Sequence, residues 1–317
     1  MNSTEIEHYC TLFDSVFLPQ GLCLYESLCR HAQPFRLWVL CMDERVERGL
    51  QALNLPNLSA IPLRDFEDVR LLAVKPSRSR GEYCWTLTPF IFDAVLRRAP
   101  EAARVTYLDA DLYFFSPPMA LHEEFRTSGK DVLLTEHAYA PEYDQSKKSG
   151  RFCVQFLTFR ATPGAERVRK WWQDRCLEWC YARFEDGKFG DQKYLDAWPK
   201  MFDNEIHIVR QSNLTMAPWN AKHLMKQGYG TPVFYHFHGL RRITRFQWML
   251  YLIYEPGGQA RKLYDEYCES LSRSLRLLQN ARIESVTPAG KSLIFNTGKM
   301  IVNNILRRAT YRTIRPT

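Results

Sequence analysis

The chain of 317 residues has no long hydrophobic run and no low-complexity tract. Its apolar stretches are far shorter than the roughly 20 residues that a membrane-spanning helix needs. Residues 1–8 are polar and contain no apolar core of the kind that a secretory signal requires. We therefore expect a protein with neither a membrane span nor a cleaved leader.

The cysteines do not form a paired motif. There are nine, an odd number, and none of them form a Cys-x-x-Cys sequence. Cys176 and Cys180 lie one helical turn apart among tryptophans, a setting more typical of core packing than of a metal pair. We expect reduced thiols and a cytoplasmic location.

Positive charge is concentrated at one end of the chain. The net charge is +8, and residues 282–317 hold seven Lys or Arg but only one acid, Glu284. The remaining body is nearly neutral, which argues against a general nucleic-acid-binding surface. Residues 291–315 have two interpretations: a basic amphipathic segment lying on anionic lipid, or a helix packed on the domain with its cationic end in water.

The first third of the chain alternates strand and helix patterns. A hydrophobic content of 45% can fill a sizeable core. We predict strands at 8–15, 36–42 and 58–63 and helices at 18–32 and 45–53. This β-α-β-α-β order indicates an α/β fold with a mainly parallel sheet. Ligands bind beyond the carboxyl ends of such strands, where Asp14, Asp43 and Asp109 stand.

Later elements are mixed in type. Residues 65–88 are polar and basic, and Pro89 stands at the starting position of a helix predicted at 90–98. We predict further strands at 131–136, 152–160, 206–209 and 232–237, and further helices at 163–183, 246–254 and 260–280. We divide the chain into a catalytic domain, 1–258, and a helical basic extension, 259–317.

Two carboxylates, Asp109 and Asp111, end the predicted strand that begins at Val105. Positions i and i+2 of a strand point the same way, so the two side chains can converge. Burying both charges is costly, and a divalent cation removes that cost. Carboxylate oxygens suit Mn²⁺ or Mg²⁺. The alternative is that both residues are turn or helix-cap residues.

Histidines follow a later apolar strand. His236 ends the strand at 232–237, and a neutral imidazole is a good third ligand for Mn²⁺ beside two carboxylates. The alternative is a surface or hydrogen-bonded histidine. His238 lies on the same face and is the second candidate for the metal ligand.

Several other polar groups have both a functional and a structural interpretation. Arg241 and Arg242 follow Gly239 and suit a diphosphate, although a solvated charge pair is the commoner explanation of such a pattern. Arg78 and Arg80 allow the same two readings. Asp191 either caps a helix or, with its neighbour, binds sugar hydroxyls. The groups that suit a sugar are Asp191, Gln192, Trp219 and Asn220.

Four motifs together resemble the GT-A glycosyltransferases, nearest to glycosyltransferase family 8, over residues 8–250. They are Thr11-Leu12-Phe13-Asp14, Tyr107-Leu108-Asp109-Ala110-Asp111, Asp191-Gln192-x-x-Leu195 and His236-Phe237-x-Gly239-x-x-Arg242. The chain departs from the family in two places. A Lys-Pro-Trp ending is absent, and Cys153-Val154-Gln155 stands where many relatives have Asn-x-Gly.

The resemblance implies a role for each matched residue. Thr11, Phe13 and Asp14 would hold the base and ribose, and Arg78 or Arg80 would approach the donor. Asp109, Asp111 and His236 would bind Mn²⁺, and Arg242 would bind the diphosphate. Asp191 and Gln192 would contact the transferred sugar. Ala110, Trp219, Asn220 and Gly239 complete the expected donor-binding set.

The expected function is therefore metal-dependent transfer of a hexosyl group, with retention, from a nucleotide diphosphate sugar. The donor is expected to be UDP-linked, and the acceptor a saccharide or a lipid-linked saccharide. A sugar-phosphate nucleotidyltransferase would want a Gly-rich basic loop after the first strand, and Asp14–Gln20 offers none. A degenerate, non-catalytic sugar-binding module is the other alternative.

Overall fold

A computed structural model describes residues 6–287 and 309–316. In chain order the strands and α-helices are β1 Glu7–Phe13, α1 Leu18–His31, β2 Phe35–Cys41, α2 Glu44–Leu53, β3 Leu58–Pro62, α3 Val69–Val74, α4 Arg80–Arg98, β4 Arg104–Leu108, β5 Leu112–Phe114, α5 Met119–Ser128, β6 Val132–Glu136, α6 Ser146–Ser149, β7 Phe152–Arg160, α7 Pro163–Glu178, α8 Trp198–Met201, β8 Ile206–Ile208, β9 Thr215–Met216, α9 Ala221–Lys226, β10 Phe234–His236, β11 Arg241–Arg242, β12 Gln247–Leu252, α10 Arg261–Asn280 and β13 Ala309–Thr313.

The central sheet has seven strands in the order β3-β2-β1-β4-β7-β6-β8. Strands β3, β2, β1 and β4 run parallel, whereas β7 is antiparallel to both of its neighbours. β-α-β crossovers connect β1 to β2 and β2 to β3, as the alternating pattern predicted. Their carboxyl ends therefore meet at one edge, where Asp14, Asp43 and Asp109 follow β1, β2 and β4.

Helices cover both faces of this sheet. One buried cluster lies between the sheet and the helices α4 and α7, and includes Trp172 and Trp198. Another lies on the side of α1 and α2 and includes Leu28 and Val46. The mixed α/β class predicted from the sequence is confirmed.

Two small sheets stand beside the central one. In the first, β10 is antiparallel to β5 and parallel to β9. In the second, β12 lies between β11 and β13, antiparallel to both. A third buried cluster, which includes Tyr235 and Tyr267, joins β10 to α10. Helix α10 also contacts α1 through Arg273, whose guanidinium donates to Glu26 at 2.7 Å.

Two predicted helices differ from the structure, and a third helix was not predicted. Residues 247–252 form a strand rather than a helix, and the alternating burial of Trp248 and Leu250 is the period of a strand. Residues 65–88 contain α3 and the first half of α4, so Pro89 lies inside a helix. A capping box between Ser79 and Glu82 starts α4 ten residues earlier than predicted.

The C-terminal region also differs from its prediction. Residues 309–313 form strand β13 against β12, whereas a helical extension was expected. The rest of the predicted basic segment, residues 288–308, lies outside the described residues. Helix α10 agrees with the helix predicted at 260–280. None of the helices in 6–287 and 309–316 combines the length and the apolar character that crossing a bilayer would take.

His122 offers a test of the core by pH. Its ring is buried in α5, where Nε2 lies 2.8 Å from the Tyr9 hydroxyl, and burial lowers its pKa to about 4. The unfolded chain takes up this proton near pH 6.5 and the folded chain does not. Stability is therefore fully present above about pH 6.5 and is lost as the pH falls towards 4.

We expect the free energy of unfolding to fall by about 2 kcal/mol more in the wild type than in His122→Gln between about pH 7 and pH 4.5. Urea unfolding followed by tryptophan fluorescence measures both values. The substitution also changes the free energy of unfolding by an amount that does not depend on pH, and this amount cancels when the two losses are compared. Equal losses in the two proteins would contradict the assignment.

Candidate active site

A cavity of about 620 Å³ opens at the carboxyl edge of the central sheet. Asp109 and Asp111 lie at its floor, between the ends of β4 and β5. The cavity walls come from the loops after β1, β10 and α7. This is the edge at which parallel α/β sheets bind ligands.

Three side chains meet at the floor of the cavity. The Nε2 atom of His236 lies 3.1 Å from Asp111 Oδ1 and 3.6 Å from Asp109 Oδ2. One potential ligand atom from each of the three residues lies within 4.8 Å of the others. His236 and Asp111 are buried, and Asp109 is partly exposed to the cavity. Two carboxylates and an imidazole facing one point are a donor set that suits Mn²⁺ or Mg²⁺.

Strand pairing brings these residues together. His236 lies opposite Leu112 in the antiparallel ladder of β10 and β5, directly after Asp111. The backbone N–H of Phe237 also donates to the Asp111 carbonyl at 2.9 Å. A contact between residues 125 positions apart is therefore fixed by backbone hydrogen bonds as well as by side chains.

Gln155 orients the imidazole and was not among the predicted site residues. Its Oε1 lies 2.7 Å from His236 Nδ1, so this nitrogen carries the proton and Nε2 faces the carboxylates. The Gln155 carbonyl also accepts from the N–H of Asp109 at 3.0 Å. The sequence did contain a signal of this role, because Gln155 is an amide within the otherwise apolar run Cys-Val-Gln-Phe-Leu.

The electrostatics of the three groups indicate a site for a cation. Burial raises the pKa of Asp109 to about 6, partly offset by the charge of His236. Burial also acts to raise the pKa of Asp111, but His236 and Arg241 lower it below the ordinary value. Burial alone would lower the pKa of His236, yet Asp111 raises it well above 6.5. A proton on Nε2 thus takes the place that a metal ion would fill.

The side chains at the opposite end of the cavity suit a nucleotide. Phe13, Asp14 and Phe17 line it, and Arg80 closes it. Arg80 lies 3.0 Å from Asp14 Oδ2 through Nε and 2.6 Å from Asp43 Oδ2 through Nη2. An aromatic wall beside hydrogen-bonding carboxylates can take a base and a ribose.

Of the two arginines that follow Gly239, Arg241 reaches the cavity, whereas the family resemblance pointed to Arg242. Arg241 lies 3.9 Å from Asp111 Oδ2 and stacks on the Phe17 ring at 5.0 Å. Adjacent residues of strand β11 point to opposite faces, so Arg242 faces away from the cavity. Its guanidinium instead donates to the carbonyl oxygens of Ser285 and Arg245.

Four other predicted residues do not line the cavity. Arg78 donates to the Leu177 carbonyl at 3.3 Å and lies over the Tyr181 ring. The remaining three serve the backbone or the core: Thr11 is fully buried in β1, Asn220 bonds the His137 carbonyl and the Ala217 N–H, and Gly239 forms a turn at φ +84°.

Asp191 and Gln192 both line the cavity. Burial, together with the charge of Asp109, raises the pKa of Asp191 to about 8. The Asp191 carbonyl accepts from Trp172 Nε1 at 2.9 Å, which anchors the segment to α7. Gln192 Nε2 donates to the Ser149 carbonyl at 2.8 Å, and its side-chain oxygen has no hydrogen bond to another described residue.

Aromatic rings form the last wall. Trp219, Tyr139 and Tyr254 line the cavity, and the Trp219 ring contacts His236 at 5.4 Å between centroids. His238 also lines it, 5.5 Å from His236 between ring centroids, but only His236 belongs to the three-residue group. Burial and the neighbouring His236 lower the pKa of His238 to about 4.

Solved glycosyltransferases share this architecture. The galactosyltransferase LgtC, solved with donor and acceptor sugar analogs, matches with a TM-score of 0.51 and 14% identity, covering 83% of this chain and 95% of that one. The glycosyltransferase GlyE of Streptococcus pneumoniae TIGR4 matches at 0.50 and 15% identity, covering 90% of this chain and 66% of that one. The chain therefore has the GT-A glycosyltransferase fold.

Comparison with protein-family models finds no match. Among curated proteins, the uncharacterized protein YfnF of Bacillus subtilis (strain 168) is 34% identical over 252 residues, which are 74% of this chain and 82% of YfnF. The uncharacterized protein YfnD of the same strain is 30% identical over 288 residues, 86% of this chain and 91% of YfnD. The chain belongs to the family of YfnF and YfnD.

Proposed function

We propose that this protein is a metal-dependent glycosyltransferase that moves a hexosyl group from a nucleotide diphosphate sugar, UDP-linked, to a saccharide or lipid-linked acceptor. The observation that carries the proposal is the convergence of Asp109, Asp111 and His236 at the floor of a cavity large enough for a nucleotide sugar. The GT-A fold supports it. We further propose membership of glycosyltransferase family 8, with residues 1–258 as the catalytic domain, and a cytoplasmic location consistent with nine free thiols.

The three residues at the floor would hold Mn²⁺ or Mg²⁺. A bound ion would neutralise the charge that develops on the diphosphate as the glycosidic bond breaks. Asp109 and Asp111 supply the negative charge that holds such an ion, and His236 supplies a lone pair on Nε2. Gln155 keeps that nitrogen unprotonated when the ion is present, by accepting the proton of Nδ1.

Arg241 would carry the second positive charge at the leaving group. Its position beside Asp111 and over Phe17 lies between the metal residues and the nucleotide end of the cavity. A guanidinium matches phosphate oxygens with two parallel hydrogen bonds. Positioned before the reaction begins, it stabilises the developing charge without reorganisation.

Asp191 and Gln192 would contact the transferred sugar and stand nearest the anomeric carbon. A pKa of about 8 leaves the Asp191 carboxyl able to donate as well as accept a hydrogen bond near neutral pH. Trp219 and Tyr254 offer apolar faces on which sugar rings pack. We propose retention of configuration, with attack by an acceptor hydroxyl on the face from which the diphosphate leaves.

Replacing Asp111 tests the metal role. We expect Asp111→Asn to lower Mn²⁺-dependent hydrolysis of UDP-hexoses by about 100-fold or more, because it removes a ligand charge. Asp203→Asn, at an exposed aspartate outside the cavity, serves as the matched control and should stay at the wild-type rate. Near-wild-type turnover in Asp111→Asn would overturn the metal role. Binding of Mn²⁺ and UDP without turnover of any UDP-sugar would favour a non-catalytic module.

Gln155 can be tested separately as a positioning residue. Gln155→Met keeps the size of the side chain but removes the acceptor of the His236 proton. We expect its Kd for Mn²⁺, measured by electron paramagnetic resonance, to rise by about 10–100-fold. Gln155→Glu keeps an acceptor and should rescue most of the affinity. Equal affinity in Gln155→Met and the wild type would show that His236 needs no partner.

Arg241 is expected to act on the leaving group. Arg241→Gln should lower kcat for UDP-hexose hydrolysis by about 100-fold. The melting temperature should change little, because the side chain is partly exposed. Arg276→Gln, which removes an exposed charge from α10, is the matched control and should retain wild-type kcat. An unchanged kcat in Arg241→Gln would exclude Arg241 from the reaction.

A further inference from the structure

A second cavity, of about 630 Å³, lies on the other face of strand β11 from the candidate active site. Arg241 points into the first cavity and Arg242 into the second. The second cavity has a cationic side and an apolar side, formed by Arg242, Arg245, Arg315, Phe246, Leu275 and Leu278.

Arg242 is buried at the base of this cavity with an incomplete set of partners. Only 6% of its surface is exposed. Its terminal nitrogens donate to the Ser285 carbonyl at 3.0 Å and the Arg245 carbonyl at 2.6 Å. Its Nε has no hydrogen-bond partner among the described residues. The backbone contacts explain how the terminal nitrogens are satisfied, but they leave a buried donor of a charged group unpaired, which is costly.

Two further guanidinium groups stand at the mouth of the cavity. Arg245 and Arg315 are exposed and lie on the ring of Phe246, at 5.1 Å and 5.7 Å from its centroid. Three like charges that share one cavity repel one another, and burial together with Arg245 lowers the pKa of Arg242.

Carboxylates do not balance this charge within residues 6–287 and 309–316. None of the ion pairs formed there involves Arg242, Arg245 or Arg315. Glu284 also lines the cavity, where its carboxylate lies 3.8 Å from Arg45. The neighbouring stretch 288–308 contains no Asp or Glu in its sequence. Among the described residues that line the cavity, Glu284 is therefore the one carboxylate against three guanidinium groups, and the sequence of 288–308 adds no other.

We propose that this second cavity binds a phosphate-bearing ligand separate from the sugar donor. Guanidinium groups match phosphate oxygens, and three of them suit a group with two or more negative charges. The apolar wall of Leu275, Leu278 and Phe246 would contact the remainder of that ligand. The site does not depend on the proposed transferase activity.

Isothermal titration calorimetry with inorganic pyrophosphate tests the site. EDTA is present so that no divalent ion is bound at the floor of the first cavity. We expect one ion per chain, and a Kd that rises at least about tenfold in Arg245→Gln/Arg315→Gln. Both residues are exposed, so the double variant should keep the wild-type melting temperature. Arg276→Gln, an exposed position of α10 outside the cavity lining, should change the Kd by less than about twofold.

Three outcomes would overturn the proposal: no binding at millimolar pyrophosphate, an unchanged Kd in the double variant, or loss of binding in Arg241→Gln. The last would place the anion in the first cavity.

Geranyl phosphate distinguishes the source of the ligand. Binding at least about tenfold tighter than that of inorganic phosphate would indicate that the apolar wall is engaged and favour a lipid phosphate. Equal affinities, both weakened in the double variant, would favour a soluble phosphate. Either result supports the site.

Discussion

The antiparallel register of β5 and β10 is the constraint on which the candidate active site depends. It places His236 opposite Leu112, so that the imidazole lies beside Asp109 and Asp111. A slip of one residue would turn the imidazole to the other face of the strand. The fully buried rings of Tyr113 and Tyr235 pair in the same ladder and pack in the cluster that joins β10 to α10, and a slip would also break this packing.

The same arrangement brings two carboxylates and an imidazole together at a buried position, where unpaired charge is costly. Two carboxylates and an imidazole share a site bounded by Trp219 and the central sheet. Without a cation, a proton on His236 balances Asp111. In the proposed metal-bound state, Asp109, Asp111 and His236 would hold the ion, and Gln155 already orients the imidazole for this through its other nitrogen. Electrostatic preorganisation of this kind is what glycosyl transfer with a charged leaving group requires.

Strand β11 divides positive charge between two cavities. Its two residues alternate, so Arg241 faces the candidate active site and Arg242 faces the second cavity. The sequence placed two arginines after Gly239 but could not say which of them faces the candidate active site. Which arginine faces which cavity depends on the pairing of β11 with β12. The sequence pattern predicted a helix at 246–254, where β12 lies.

The sequence by itself determined the parallel half of the sheet and the strand that leads to Asp109. It also identified Asp109, Asp111 and His236 as candidate metal ligands. These follow from local patterns, since period-two alternation and turn residues are written within a few positions of each other. The tertiary structure alone decided that Gln155 orients His236 and that Arg241, not Arg242, faces the candidate active site. It also decided that Thr11 is buried in the core and that Asn220 bonds the backbone, so that neither lines the cavity. Each of these depends on a partner distant in the chain, and a short window of sequence contains no information about which distant residues will pack against it.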